Sequence, residues 1–363
     1  MGGLKRQAPT VPFCTVRRGA ALGLIMRPYN RITGPGTDSS IPGCAERFFA
    51  GTDVQMKTFD LPGTDLHVSS IVLGLMRIES LDDEQIRTLV GTARDAGVSV
   101  FDHADIYGSE RHACERRFGD AVSFASDRDD VIIQSKVGIR EGYYDFSAEH
   151  ILTTVDESLA ALRTDHLDIL LLHRPDALVE PAEVAQAFDT LQSAGKVRHF
   201  GVSNHTPGQI AVLKTAVQQP LVVNQVQLSI THAPLVAAGV AANIAGLDQS
   251  VDRDNGLLDH ARVHGITLQA WSPFQKGTSE GVFLGDRENY PDLNDALDDL
   301  ADQFGTTPTA IATAWLTRHP ANIQVVLGTT TPSRVAEAAA GSDIELDRQQ
   351  WYRLFRAAGH TLP

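Results

Sequence analysis

Four side chains in this sequence have types and spacing suited to moving a proton. Asp102 and Tyr107 stand five residues apart in FDHADIYG; Lys136 follows in VIIQSKVG and His173 in LLLHRPD. A phenol with an ordinary pKa near 10 is a weak acid or base at neutral pH unless a nearby cation favours its phenolate. Lys136 is the candidate cation. Asp102 would pair with that ammonium and hold it charged and oriented, while His173 donates to a substrate oxygen or relays protons. Such a group polarises a carbonyl and protonates the alkoxide as hydride arrives. No nucleophile of the Ser-His-Asp kind accompanies it.

These residues need a scaffold that brings distant segments to one mouth. Apolar β-branched runs read as strands at 71–74, 98–102, 131–136, 168–172, 198–202, 221–226, 266–270 and 323–327. Helical periods fall between them, as in Asp82 to Ala96, Ser147 to Arg163, Pro181 to Ala194 and Asp292 to Phe304. Strand–helix alternation with short connections implies parallel strands joined by right-handed crossovers, and eight such units point to a closed (β/α)8 TIM barrel of the α/β class. An open doubly wound sheet would carry a Gly-rich fingerprint after its first strand, and none follows 71–74. In a barrel the ends of successive strands converge: Asp102 and Tyr107, Lys136, His173, Ser203 with Asn204, and Asn224 with Gln225 end the second to sixth strands. Two long connections, Ser229 to Asp254 and Ser272 to Tyr290, fall on that same face.

Before the barrel, half-apolar stretches flank Leu-Pro-Gly-Thr-Asp between Lys57 and Val68, which predicts an N-terminal β-hairpin turning at Pro62 and Gly63. Residues 1–55 differ in composition: seven Lys/Arg stand against three Asp/Glu, with scattered Gly and Pro and no amphipathic period. They are expected to be a disordered N-terminal extension, or to precede a start at Met56, leaving residues 56–363 as one barrel domain. Arg17-Arg18 before AALGLIM has the look of a twin-arginine export signal, but Arg27 closes the apolar run and no A-x-A site follows.

The chain of 363 residues carries a net charge of -14. That balance argues against nucleic acid as a partner, since displacing counterions from a phosphate backbone needs clustered Lys and Arg. No apolar run approaches the roughly 20 residues that span a bilayer, so no membrane partner is expected. Cys14, Cys44 and Cys114 have neither CxxC spacing nor a disulfide framework, which suits a reducing cytoplasm. His103 and Asp105, beside the four proton-handling residues, have no HxH and no second ligand cluster with them, so no metal is expected. Tyr143 and Tyr144 either line the substrate pocket or pack on the rim. Nothing in the sequence bears on oligomeric state.

Taken in order, FDHADIYG, VIIQSKVG, LLLHRPD, VRHFGVSNHT and NQVQLS resemble the aldo-keto reductase superfamily over about 57–360, most closely its bacterial oxidoreductase branch with HADIYG, LLLHRPD and AWS motifs. The resemblance implies a barrel enzyme that reduces aldehydes and ketones with NADPH, NADH being the alternative, and no metal. It places the catalytic tetrad on Asp102, Tyr107, Lys136 and His173, with Tyr107 as proton donor. Ser203, Asn204 and Gln225 would hold the nicotinamide carboxamide. Trp271 in AWSPF takes the place of a stacking Tyr, and Ser272 and Phe274 would line the pyrophosphate. In VVLGTTTPSRVAEA, the resemblance puts Gly328, Thr329, Arg334 and Glu337 at the adenosine end, with a helix starting near Pro332 aimed at the anion. Gly328 replaces a usual Lys and Ala338 a usual Asn, which weakens a strict NADPH preference. Met76 and Arg77 in LGLMRI flank the mouth, and His232 in SITHAP lies in a loop over it, as substrate contacts. Two other readings use the same residues: a cofactor-binding module without turnover, and Schiff-base chemistry at Lys136.

Overall fold

Thr58–Asp60 (β1) and His67–Ser69 (β2) pair antiparallel across the Pro62–Gly63 turn, forming the expected hairpin. All eight expected barrel strands follow in the computed structural model, which describes residues 56–122, 128–277 and 281–363, all within the unit Ala50–Pro363. They are Ile71–Gly74 (β3), Val100–Asp102 (β4), Ile132–Val137 (β5), then, after the small rim hairpin Ile139–Arg140 (β6) and Tyr143–Tyr144 (β7), Leu167–Leu172 (β8), Val197–Ser203 (β9), Leu221–Gln227 (β10), Thr267–Trp271 (β11) and Gln324–Leu327 (β12). Each barrel strand pairs parallel with its neighbours, and β12 closes on β3. The extension expected over residues 1–55 lies outside the described residues.

The helices are Asp83–Asp95 (α1), Ala113–Ala121 (α2), Ala148–Leu162 (α3), Pro181–Ser193 (α4), Pro207–Leu213 (α5), Pro234–Val240 (α6), Leu257–His264 (α7), Pro291–Phe304 (α8), Pro308–Thr317 (α9), Pro332–Ala340 (α10) and Arg348–Ala357 (α11). Their starts follow local chemistry. Asp82 and Gln85 form a reciprocal capping box on α1, and proline occupies the first turn of α4, α5, α8, α9 and α10. The connection from Ser229 to Asp254, unreadable in the sequence, contains α6 and a short 3-10 turn, Asp248–Ser250.

Period-2 alternation sorts every strand into two faces. Ile71, Leu73, Phe101, Ile133, Leu170 and Leu172 pack outward against the helices, while Val72, Val100, Ile132, Ile169, Leu171 and Val326 form a second cluster inside the barrel. Leu61, Leu66 and Val68 of the hairpin join that inner cluster, so the hairpin stoppers one end. Each such buried aliphatic side chain contributes about 1.5–3 kcal/mol. The same alternation continues to the other end: Val100 leads to Asp102, Ile132 to Gln134 and Lys136, and Ile169 and Leu171 to His173. The residues suited to proton transfer therefore top the columns whose feet are the apolar plug.

Candidate active site

Lys136 is fully buried at the end of β5, and its ammonium is surrounded by oxygen. It donates to both carboxylate oxygens of Asp102 at 2.7 Å, to the His103 carbonyl at 2.8 Å and to the Tyr107 hydroxyl at 3.0 Å. Burial alone would lower its pKa, but the Asp102 charge, Tyr107 and the bonds to both outweigh it and hold the ammonium above its ordinary value. Tyr107 OH accepts from Lys136, so its own proton is left to point elsewhere.

The loop carrying Tyr107 is held as an extension of the β4–β5 pairing. His103 N donates to Gln134 O at 2.8 Å and Asp105 N to Lys136 O at 3.2 Å, after which Tyr107 N turns back to Ala104 O at 3.1 Å. Gly108 follows with φ +108°, a conformation L side chains rarely adopt, and a Cβ there would lie 2.6 Å from that of Ala113. His173 meets the Tyr107 ring edge-on, with centroids 5.9 Å apart. Its pKa falls well below the usual histidine value because it is buried and lies beside the charges of Lys136 and Arg174. His173 is thus a neutral imidazole, able to donate one hydrogen bond.

One expectation is corrected. Lys136 does pull the Tyr107 pKa down, yet burial pushes it up by more, and the phenol ends above its ordinary value. Tyr107 keeps its proton at neutral pH.

A second polar group forms beside the first. Ser203 Oγ donates to Gln225 O at 2.8 Å, Asn204 Nδ2 to Ser203 Oγ at 2.7 Å, and Trp271 Nε1 to Asn204 Oδ1 at 3.1 Å. Asn204 takes a left-handed φ of 60°, turning its side chain back on the end of β9. Gln225 Nε2 reaches Asp102 Oδ1 at 3.1 Å, which joins this group to the tetrad. The Arg174 guanidinium lies 5.6 Å from the centre of the Trp271 ring, a neighbour the sequence reading missed.

The remaining expected residues spread around the rim. Ser272 Oγ donates to Gln275 Oε1 at 2.8 Å, and Phe274 packs partly buried on the core. Gly328 is exposed at the end of β12, where Arg77 Nη1 donates to its carbonyl at 3.3 Å. Thr329 Oγ1 accepts from Thr331 N at 3.1 Å, Arg334 is exposed in the first turn of α10, and Glu337 is half-buried one turn on. Met76 is exposed. His232 hydrogen-bonds within the Ser229 turn and faces Asp254; its described contacts tie it to that loop and not to the tetrad.

A hydroxyl, a carboxamide pair and a flat indole in hydrogen-bonded contact suit a nicotinamide carboxamide and its ring. Beside them the neutral imidazole of His173 and a phenolic proton that Lys136 leaves free suit a carbonyl oxygen. The residues present fit the cofactor that the sequence implies.

Behind the tetrad lies a partly buried ionic cluster that sequence reading missed apart from His103 and Asp105. His112 Nδ1 meets Glu115 Oε2 at 2.5 Å and its Nε2 meets Glu157 at 3.2 Å, while Ser135 donates to Glu115 Oε1 at 2.5 Å. Arg111 lies 3.4 Å from both Asp105 and Glu157. Burial depresses the His103 pKa to about 4, opposed by Glu115 and Asp102, and burial lifts that of Asp105 to about 6 against Arg111. These two neighbours have opposite consequences for stability. An unfolded histidine takes a proton near pH 6.5 and native His103 only near 4, so stability falls across that window by roughly 3 kcal/mol as pH drops. Native Asp105 takes its proton near pH 6 and the unfolded chain near 3.8, so acidification there favours the fold by a comparable amount. Urea unfolding between pH 6.5 and 4.5 should therefore show His103→Leu less acid-sensitive than the parent and Asp105→Asn more so. Equal slopes in the three proteins would contradict these assignments.

Comparison with known proteins agrees with this geometry. The aldo/keto reductase family profile matches residues 70–358, most of the chain and all eight barrel strands. The chain belongs to the aldo/keto reductase family. It is 33% identical over 314 residues to the uncharacterised oxidoreductase YcsN of Bacillus subtilis, covering 82% of this chain and 97% of that protein. It is 34% identical over 307 residues to a 6-dehydroglucose reductase of Agrobacterium fabrum, covering 81% and 95%. The barrel superposes on the crystal structure of the thermostable aldo-keto reductase Tm1743 with a TM-score of 0.67 at 24% identity, over 83% of this chain and all of that one, a likeness of fold. Among the described residues no helix is long and apolar enough to cross a membrane.

Proposed function

We propose that this oxidoreductase reduces aldehydes and ketones to alcohols with NADPH in preference to NADH, Tyr107 giving the proton. The observation that carries this reading is the bonding of Lys136. A fully buried ammonium bridges the Asp102 carboxylate and the Tyr107 hydroxyl, and the phenolic proton is left unengaged by either. A bound dihydronicotinamide supplies the hydride. As negative charge grows on a substrate oxygen beside Tyr107, the phenol releases its proton and Lys136, already 3.0 Å from the hydroxyl, stabilises the resulting phenolate. Asp102 keeps Lys136 charged and aimed, and neutral His173 donates a hydrogen bond that orients the substrate oxygen.

Ser203, Asn204 and Gln225 would hold the carboxamide, with Trp271 flat against the ring and Ser272 and Phe274 along the pyrophosphate. Arg334, in the first turn of α10, together with Gly328, Thr329 and Glu337, would meet the adenosine end, where an arginine and a helix N-terminus favour a phosphate. Met76, Arg77 and His232 are the proposed substrate contacts, and residues 56–363 the catalytic domain. The 6-dehydroglucose reductase among the relatives makes oxidised hexoses a sensible substrate class to try first.

The test is nicotinamide absorbance during incubation with aliphatic and aromatic aldehydes, ketones and oxidised hexoses, using NADPH and NADH in parallel. Carbonyl-dependent oxidation with a larger kcat/KM for NADPH is expected. Tight cofactor binding with no turnover across the panel would overturn the reading in favour of a binding module.

A further inference from the structure

We infer that a ladder of buried glutamines, Gln134, Gln269 and Gln324, positions the Asp102 carboxylate from below and couples it to Gln225 at the cofactor site. This rests on the proposed reading of Asp102, Lys136 and Tyr107 as the catalytic group.

The ladder runs inside the barrel. Gln134 Nε2 donates to Asp102 Oδ1 at 2.5 Å and to Gln269 Oε1 at 2.9 Å; Gln225 Nε2 donates to the same two oxygens at 3.1 and 3.0 Å. Gln269 Nε2 donates in turn to Gln134 Oε1 at 3.1 Å and Gln324 Oε1 at 3.0 Å, and Gln324 Nε2 ends on the Ser69 carbonyl at 2.7 Å. All four glutamines are buried, Gln134 and Gln269 completely.

Two features separate this from ordinary core filling. The adjoining interior, built of Val72, Val100, Ile132, Leu171 and Val326, is apolar, so the barrel does not need amides to pack. Four buried amides are tolerated only because their partners are supplied, and a lone one would be costly. The direction of every amide is also determined by chemistry. A carboxylate at one end and a peptide carbonyl at the other can only accept, so Gln134 and Gln225 must turn their NH2 groups to Asp102, and Gln324 must turn its own to Ser69. Gln269 is then the hub: its oxygen accepts twice and its nitrogen donates twice, which leaves it no alternative orientation.

The consequence falls on Asp102. Two amide donors share Oδ1 with Lys136, while among the described residues Oδ2 is held by Lys136 alone. The amides take up part of the carboxylate's charge, so more of the Lys136 field is available to Tyr107. Without Gln269, both donors lose the acceptor that aims them, Asp102 offsets Lys136 more completely, and the Tyr107 phenol becomes a weaker acid. Gln269 touches neither substrate nor cofactor; it is a positioning residue.

The experiment uses the full chain with Gln269→Leu, which suits an apolar barrel, and Gln269→Glu, which keeps the shape. In the second variant one carboxyl oxygen faces Gln134 Oε1 and Gln324 Oε1, so it must hold a proton to be accommodated. Gln269→Leu is expected to lower kcat about tenfold with substrate KM within about twofold, and to raise the Tyr107 pKa by about one unit. The Tyr107 signal is the tyrosinate absorbance that a Tyr107→Phe background lacks. Gln269→Glu is expected to gain activity relative to the parent as the pH falls and its carboxyl is protonated. Thermal unfolding reports whether each variant is folded. An unchanged kcat–pH profile and unchanged tyrosinate titration in the folded variants would overturn the inference. If the parent reduces no carbonyl, the reading of the function fails, and the tyrosinate titration still decides the ladder: a shift upholds it and no shift removes it.

Discussion

Replacing Tyr107 by Phe is expected to lower kcat for carbonyl reduction by about a thousandfold while cofactor affinity changes little. The ring is retained, so its edge-on contact with His173 and its packing on the core survive. What disappears is one hydroxyl, which accepts a Lys136 hydrogen bond and, in the proposed mechanism, is the acid. That hydroxyl is not what holds the residues assigned to the cofactor: Ser203, Asn204, Gln225 and Trp271 are held by one another, by Asp102 and by Gln269. Steady-state turnover together with a fluorescence titration of NADPH binding separates the two effects. A variant that retained half of the parental kcat would remove Tyr107 from the mechanism.

Lys136→Met is expected to damage both activity and stability. Asp102 is only 2% exposed, and without the ammonium it becomes a buried carboxylate held by amide donors alone. Breaking a buried pair from one side typically costs about 3–5 kcal/mol, far more than the pair itself contributes. Tyr107 also loses the one neighbour that lowers its pKa most, leaving burial and Asp102 to drive it further up. Adding Asp102→Asn to Lys136→Met removes the orphaned charge, so urea unfolding should show recovery of much of the lost stability. Activity should stay low in the double variant, because the phenol still lacks its cation. If the double variant were as active as the parent, Lys136 would have only a structural role.

How much of this was legible in the sequence depended on which physical rule applied. Strands such as Ile132–Val137 and Leu167–Leu172 announce themselves as short, largely apolar runs, and the barrel rule then carries Asp102, Lys136 and His173 to one mouth with no further information. Gln134 and Gln269 were equally visible as polar residues at inward positions, two before Lys136 and two before Trp271. Period 2 puts each on the same face as its neighbour in the candidate site, and that is the signal that could have found them. Their pairing with each other spans β5 and β11, which no local pattern encodes. The Tyr107 pKa was misjudged for a related reason: the cation that lowers it can be guessed from spacing, but the burial that outweighs it is a property of the assembled site. Arg174 over Trp271, and His112 between Glu115 and Glu157, are likewise meetings of segments that sequence distance hides.

The central claim, hydride delivery to a carbonyl carbon with Tyr107 as acid, is tested most directly by isotope transfer. With NADPH deuterated on both faces of nicotinamide C4 and a carbonyl from the assay panel, mass spectrometry of the product should find one deuterium at the new carbinol carbon, and Tyr107→Phe should form that product about a thousandfold more slowly. Product formed at the parental rate without deuterium, or formed equally fast by Tyr107→Phe, would contradict it.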